Sequence, residues 1–147
     1  MIVATEDLDA HRGQVTMVDG GFDPLHPGHV AYFEAAAALG RPVLCNVAPD
    51  GWVARKHPPL LPQADRAALV DAIRFVDHVH LASGTTASVL RALGPAAYAK
   101  GADWRGRLPD EELAICAELG IEVVYLDTVR DSSTALLERY DRRRHGG

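Results

Sequence analysis

Apolar residues along this chain fall into short continuous runs that alternate with stretches of helical periodicity. The continuous runs predict strands over residues 14–19, 42–48, 78–82, 96–100 and 121–126. The periodic stretches predict helices over residues 28–40, 63–76, 87–93 and 108–119, and from 133 to about 142. Because strands that alternate with helices are joined by right-handed crossovers, the pattern predicts an α/β fold with a doubly wound, parallel, five-stranded sheet and helices on both faces.

The length and composition of the chain favour one domain. Its 147 residues are 48% hydrophobic, which is enough for one substantial core. The predicted elements place that domain at residues 13–141. Residues 1–12 and 142–147 show little apolar periodicity, so we expect a flexible N-terminal extension and a flexible tail.

The charge balance excludes several classes of function. A formal net charge of −5 and an isoelectric point near 5.7 argue against a protein whose main partner is nucleic acid. No stretch reaches the ~20 apolar residues that cross a bilayer, and the first residues lack the pattern of a secretory signal. Cys45 and Cys116 lack metal-site spacing, so we expect two reduced core thiols. These features predict a cytoplasmic protein without nucleic-acid or membrane partners.

The densest chemical motif is GGFDPLHPGH at residues 20–29, directly after the first predicted strand. His26 and His29 lie three residues apart and therefore share one side of a helical turn. Pro27 suits the first turn of a helix, which places both imidazoles at a helix N-terminus. Since such a terminus offers unpaired N–H groups and the positive end of the helix dipole, the motif predicts an anion site, with phosphate as the expected anion.

Further segments carry a resemblance to a known family. Besides GGFDPLHPGH they are Asp65-Arg66, IRFVDHV at residues 73–79, KGADW at 100–104 and EVVYL at 122–126. Over about Val15 to Tyr140, the chain resembles the cytidylyltransferase-like nucleotidyltransferases. It is similar both to members that transfer CMP to glycerol 3-phosphate and to members that make ADP-heptose.

Members of this family join a nucleoside triphosphate to a small phosphate ester and release pyrophosphate, on a Rossmann-like fold and usually as homodimers. The resemblance implies a nucleotidyltransferase that moves CMP, or AMP, from CTP or ATP onto a small phosphorylated polyol or sugar. Mg²⁺ is the implied cofactor, bound mainly through the triphosphate, and no dedicated metal site is expected in the protein. Two alternatives stay open: an ATP-dependent adenylyltransferase for a heptose 1-phosphate-like sugar phosphate, and a nucleotide-binding sensor without catalysis.

The resemblance also implies roles for individual residues. His26, His29 and Lys56 correspond to the catalytic residues that contact the triphosphate and the developing charge. The expected nucleotide-binding residues are Gly20, Gly21, Phe22, Asp23, Gly28, Arg66, Lys100, Gly101, Asp103, Ser133 and Thr134. A phosphate nucleophile is already anionic near neutral pH, so the reaction needs positive charge and positioning more than a base. We expect a bound phosphate to favour the protonated form of both histidines.

The chain departs from the family pattern at the start of the last predicted helix. Family members commonly carry Gly-(Ile/Cys)-Ser-Thr-Thr there, whereas this chain reads DSSTA at residues 131–135, so the glycine and one threonine are lost. Thr128 and Val129 occupy the places of an Arg-Thr pair, and Arg130 stands two residues later. Either Arg130 replaces the family arginine or that contact is absent, so the base preference and the sensor alternative both stay open.

Overall fold

The computed structural model describes residues 1–127 and 133–146, with the side chains of 133–136 and 145–146 excepted. Its five strands are β1 (Thr16–Gly20), β2 (Val43–Val47), β3 (His78–Leu81), β4 (Ala97–Gly101) and β5 (Glu122–Leu126). All neighbouring pairs are parallel, in the order β3-β2-β1-β4-β5. The direction of winding therefore reverses between β1 and β4, which confirms the predicted doubly wound, Rossmann-like sheet.

Helices connect the strands and cover the two faces of the sheet. They are α1 (Pro27–Ala37), α2 (Asp50–Val53), α3 (Gln63–Asp71), α4 (Thr86–Leu93), α5 (Asp110–Leu119) and, after β5, α6 (Ser133–Gly146). The sequence did not predict α2, because a helix of four residues has no periodicity to detect.

Two predicted helices end earlier than their apolar pattern indicated. The first ends at Ala37 rather than at Gly40, and the second ends at Asp71 rather than at Val76. In the second case the chain turns at Ala72 and brings Asp77 to β2, where its carboxylate accepts a hydrogen bond from the Val43 N–H at 2.8 Å. The helix thus ends before its apolar periodicity ends, and a tertiary contact holds the residues that follow it.

The core lies on both faces of the sheet, because successive side chains of a strand point in opposite directions. Met17 of β1 packs into one cluster with residues of α4 and α5, and Val18 packs into the other with residues of α1 and α3. All five residues of β2 are buried, which explains why its sequence is a continuous apolar run. Cys45 and Cys116 are free and buried, as predicted.

The N-terminal residues differ from the predicted flexible extension. The Val3 N–H donates to the Val79 carbonyl at 2.8 Å, and residues Thr5–His11 form a short 3-10 helix. Leu8 of that helix is fully buried in the core, and the Arg12 guanidinium donates to carbonyls near the end of α4. The segment therefore belongs to the domain. Its two core side chains, Val3 and Leu8, are too few and too widely spaced to give a periodic signal.

The last helix is longer than predicted. It runs to Gly146, past the expected end near Arg142, and therefore includes most of the segment predicted as a flexible tail. Among the described helices, none combines the length and apolar character that a membrane span requires.

The packing of the N-terminal segment can be measured directly. Leu8→Ala leaves a cavity in the core, so we expect a loss of about 3 kcal/mol in the free energy of unfolding, measured by urea denaturation. Leu69→Ala is the control, because Leu69 is 45% exposed and its loss should change stability by less than about 0.5 kcal/mol. Equal effects of the two substitutions would contradict the packed segment.

Candidate functional site

The loops that carry most of the predicted site residues leave the sheet at one edge. β1 ends at Gly20 and leads toward α1, β2 leads into α2, and β4 ends at Gly101 before a 3-10 helix over Ala102–Trp104. Because the strands are parallel, their carboxyl ends share this edge, and the winding reverses there between β1 and β4. The topology thus brings the GGFDPLHPGH motif, Lys56 and Lys100 to the same side of the sheet.

The two histidines of the motif cap the N-terminus of α1. His26 is the N-cap residue, and its Nδ1 accepts a hydrogen bond from the Gly28 N–H at 3.1 Å. The Nδ1 of His29 accepts in turn from the His26 N–H at 3.3 Å. The two rings stack with their centroids 3.9 Å apart. The structure therefore brings both predicted catalytic histidines together at a helix N-terminus, while the Gly28 N–H, expected to face phosphate, serves the cap.

This capping arrangement determines which nitrogen carries the hydrogen. Each Nδ1 acts as an acceptor, so the hydrogen of a neutral ring lies on Nε2. Burial, and then the neighbouring His26, lower the pKa of His29 to about 3. In the protein alone His29 is therefore neutral near pH 7, unlike the protonated form expected beside phosphate. Its Nε2–H can still donate a hydrogen bond.

The ring of Phe22 packs against His29 and the hydrophobic core. Its backbone adopts a φ of 53°, which is uncommon for a bulky residue and marks local strain. The ring is buried, with its centroid 5.0 Å from that of His29 in an edge-on contact and 5.2 Å from that of Phe33. A Cβ on Gly20 would lie 3.0 Å from the Phe22 ring, so glycine leaves the space that the ring occupies. Phe22 thus packs between the core and a histidine of the motif and helps to fix the position of that histidine.

Asp23 anchors the loop that precedes α3. Its carboxylate is buried and accepts hydrogen bonds from the Leu60 N–H at 2.7 Å and the Leu61 N–H at 3.2 Å. Both oxygens are therefore engaged by backbone, which leaves Asp23 poorly placed to bind a nucleotide or a metal. Instead it fixes the proline-rich segment at residues 58–62 against the histidine motif.

Arg66 has a related role, because its side chain is fully buried. The guanidinium donates to the Gly21 carbonyl at 2.7 Å, to the Leu61 carbonyl at 3.1 Å and to the Asp50 carboxylate at 2.6 Å. These contacts join the loop after β1 to the start of α2 and to the segment just before α3. The residue that resembled a nucleotide-contacting arginine therefore acts here through the loops that it holds.

Lys56 is exposed and lies just beyond α2. Its Nζ sits 4.6 Å above the centroid of the Trp52 ring, a distance typical of a cation–π contact. Partial burial, and then the positive charges of Lys100 and Arg55, lower the pKa of Lys56. The two lysines are thus close enough to repel each other, and an anion placed between them would relieve that repulsion.

Lys100 is buried at the end of β4, where it forms an ion pair with Asp19 at 2.8 Å. Its Nζ also lies 4.3 Å from the centroid of the Trp104 ring. Asp19 further accepts hydrogen bonds from the Thr86 hydroxyl at 3.0 Å and the Tyr98 hydroxyl at 3.2 Å. This buried polar cluster holds the lysine in place at the switch point of the sheet.

Sequence reasoning missed that cluster, although one signal was present. Asp19 is a charged residue that ends an apolar strand immediately before the glycine pair, and such a position calls for a buried partner. The Tyr98 hydroxyl contacts Glu112 at 2.9 Å as well as Asp19. Burial and these two carboxylates raise the pKa of Tyr98, and burial raises the pKa of Glu112. Asp19, Tyr98 and Glu112 lie in β1, β4 and α5, and no motif links them.

The remaining predicted binding residues have varied positions. A Cβ on Gly21 would lie 3.1 Å from the Val53 side chain and 3.3 Å from Trp52, so glycine lets α2 approach the motif. Gly101 ends β4, and Asp103 is exposed on the 3-10 helix that follows. Ser133 and Thr134 begin α6, but their side chains and all of Arg130 lie outside the described residues.

A metal would need ligands from this same edge. Within residues 1–127 and the described part of 133–146, no group of three or more His, Cys, Asp or Glu side chains is arranged to hold a metal ion. The buried carboxylates near the motif are already engaged, Asp23 with backbone N–H groups and Asp19 with Lys100.

A doubly wound sheet that gathers a histidine-capped helix and two lysines at its switch point is typical of phosphate-binding α/β proteins. The family model for cytidylyltransferase-like proteins matches residues 17–139. The chain belongs to this family of nucleotidyltransferases.

Relatives with established names support the same assignment. A bifunctional protein HldE from Nitratiruptor sp. is 31% identical over 140 residues, which cover 92% of this chain and 29% of that protein. HldE from Gluconobacter oxydans is 34% identical over 142 residues, covering 91% of this chain and 29% of that protein. A FAD synthase from Methanothrix thermoacetophila is 40% identical over 95 residues, covering 63% of this chain and 66% of the synthase. This chain spans less than a third of the length of the HldE relatives.

Solved structures share the fold. A lipopolysaccharide core biosynthesis protein from Thermoplasma volcanium aligns with a TM-score of 0.69 and 25% identity, over 80% of this chain and 98% of that one. A protein of unknown function from Archaeoglobus fulgidus aligns with a TM-score of 0.62 and 22% identity, over 82% of this chain and 93% of that one.

The lowered pKa of His29 predicts a pH dependence of stability. Its folded pKa of about 3 lies below its ordinary value of 6.5, so the unfolded chain binds more protons between these pH values. Stability is therefore lost as the pH falls from about 6.5 toward about 3. His29→Asn keeps an acceptor for the His26 N–H but does not titrate, so we expect its stability to fall less over this range. Urea denaturation measures both proteins from about pH 7 to about pH 4, and equal losses would contradict the lowered pKa.

Proposed function

We propose that this chain transfers AMP from ATP to the phosphate group of a small phosphorylated sugar or polyol and releases pyrophosphate. The observation that carries the proposal is the stacked pair of His26 and His29 at the N-terminus of α1, on the same edge of the sheet as Lys56 and Lys100. This edge combines N–H donors, positive charge and a helix N-terminus, which together suit a polyphosphate.

The proposed reaction is an in-line displacement at the α-phosphorus. An oxygen of the acceptor phosphate forms a new bond to that phosphorus, and the bond to the bridging oxygen of the β-phosphate breaks. Pyrophosphate leaves with the electron pair of the broken bond. The attacking oxygen is already anionic near neutral pH, so no side chain has to remove a proton from it. The protein lowers the barrier by aligning two anions and by stabilising the charge that builds up between them.

The geometry suggests how the side chains divide this work. The Nε2–H group of His29 is the proposed donor to the phosphates, with its orientation set by the helix cap and by the stacked ring of His26. Lys56 is exposed and can move over the triphosphate, whereas Lys100 is held by Asp19 at the floor of the site. Binding an anion would raise the lowered pKa of Lys56 toward its ordinary value, and by the same coupling the charged lysine favours the bound anion.

The choice of AMP over CMP comes from the relatives. HldE is an ADP-heptose synthase, and FAD synthase is named for a product that also contains an AMP unit joined through a pyrophosphate linkage. These names favour ATP as the donor. The acceptor phosphate then becomes one half of that linkage, which agrees with a phosphorylated sugar or polyol as the acceptor.

Mg²⁺ is part of this proposal as an ion that enters with the triphosphate. The engaged carboxylates of Asp19 and Asp23 support that route, since neither is placed to hold a resident ion. When bound, the ion would neutralise charge on the phosphates of the donor. The histidines and lysines would then bind the oxygens that the ion leaves uncovered.

Pyrophosphate release tests the activity and the base preference together. We expect release with ATP to exceed release with CTP, GTP or UTP by at least about tenfold in kcat/KM, across a panel of sugar and polyol phosphates. A preference for CTP would replace AMP transfer by CMP transfer. Nucleotide binding without release for any acceptor would instead support a non-catalytic sensor.

Substitution of His29 tests the proposed donor. His29→Asn removes the Nε2–H while keeping an acceptor for the helix cap, so we expect kcat to fall by about 10² with little change in ATP affinity. His11→Gln is the control, because His11 packs against His78 and is not among the residues assigned to the site. Trp52 and Trp104 are the only tryptophans of the chain and lie under the two site lysines, so their fluorescence reports ATP binding. Normal turnover of the variant would remove His29 from the mechanism.

A further inference from the structure

A cleft of about 520 Å³ lies between the histidine motif and the last helix. It is lined by Pro24 of the motif and by Leu137, Arg139, Tyr140 and Arg143 of α6. Its volume is in the range of small-molecule sites. The cleft therefore adjoins the candidate site. Most of its lining comes from α6, a helix of which only the first residues, Ser133 and Thr134, were expected to belong to that site.

The side chains of this cleft suit an anionic, hydroxylated ligand. Arg139 and Arg143 stand four residues apart and line the same cleft, so one face of α6 presents both guanidinium groups. Guanidinium groups bind phosphate and carboxylate through paired N–H donors. Pro24, Leu137 and Tyr140 add apolar surface and a phenol, which can pack against a carbon skeleton. This basic cleft stands out in a chain whose net charge is −5.

The position of the arginines along α6 separates them from the start of that helix. A rise of about 1.5 Å per residue places Arg139 about 9 Å and Arg143 about 15 Å along the axis from Ser133. The influence of a helix N-terminus is largely confined to its first turn. An anion held by these arginines is therefore a different group from a phosphate bound at the start of α6.

We propose that Arg139 and Arg143 form a subsite for a second anionic group of the acceptor. This inference rests on the proposed function and narrows its acceptor class to a small sugar or polyol with two anionic groups. One is the phosphate that attacks the nucleotide, and the other is a distal phosphate or carboxylate. Pro24 joins the two positions, because it lies in the cleft wall and only two residues before His26.

Matched ligand pairs test this subsite. Glucose 1-phosphate and glucose 1,6-bisphosphate differ by one distal phosphate, and glycerol 3-phosphate and 3-phosphoglycerate differ by a distal carboxylate. We expect the natural chain to bind the doubly anionic member of at least one pair about tenfold more tightly in calorimetry. The double variant Arg139→Gln/Arg143→Gln should lose that preference and keep its ATP affinity, as read from tryptophan fluorescence.

The control variant is Arg142→Gln/Arg144→Gln, which removes the same charge from exposed positions of the same helix that do not line the cleft. It should retain the preference. The subsite is overturned if no pair shows a preference, if both variants lose it equally, if the cleft variant loses ATP affinity instead, or if sedimentation shows that the cleft variant changes the association state of the chain. If the natural chain prefers the doubly anionic ligand but releases no pyrophosphate with any acceptor, the transfer reaction is overturned and the subsite is supported.

Discussion

The candidate site depends on one buried cation, the guanidinium of Arg66. A charge without access to water must find its hydrogen-bond partners within the protein, and Arg66 finds them in the Gly21 carbonyl, the Leu61 carbonyl and the Asp50 carboxylate. These acceptors lie in the loop after β1, just before α3 and at the start of α2. Asp23 adds a second tie between the loop after β1 and the segment before α3. The loop that carries the histidines is therefore held in one arrangement, as catalysis by positioning requires.

The histidines and lysines at this edge of the sheet carry the charges and N–H donors that an anion would bind. The helix cap engages Nδ1 of each histidine, and burial together with the neighbouring His26 lowers the pKa of His29, so His29 offers a donor without adding positive charge to a buried place. Lys100 is compensated by Asp19, whereas Lys56 is held only near Trp52 and has a lowered pKa. The protein thus limits the cost of gathering cations before a ligand arrives. The exposed Lys56, the anchored Lys100 and the oriented N–H of His29 are the groups proposed to meet an anion.

Sequence patterns predicted the succession of strands and helices along the chain, the parallel class of the sheet and the position of the two histidines at a helix N-terminus. Each of these features rests on local spacing. The patterns were less informative about residues that act through distant partners. Phe22, Asp23 and Arg66 lie in segments that resemble a nucleotide site, yet they face His29, Leu60 and Gly21 and support the site from within the fold. The Asp19 cluster escaped detection because Thr86, Tyr98 and Glu112 come from three separate elements. The sequence analysis predicted a flexible segment around Leu8, because a single buried leucine gives no hydrophobic periodicity.

What the sequence determined by itself is therefore the alternation of elements and the chemistry of the first loop, both encoded within a few neighbouring residues. Only the tertiary structure decided which polar residues hold the loops together. It also joined Pro24 to Arg139 and Arg143 in one cleft. The physical reason is that burial and pairing depend on the strand order β3-β2-β1-β4-β5. That order brings together side chains far apart in sequence, and no local pattern records it.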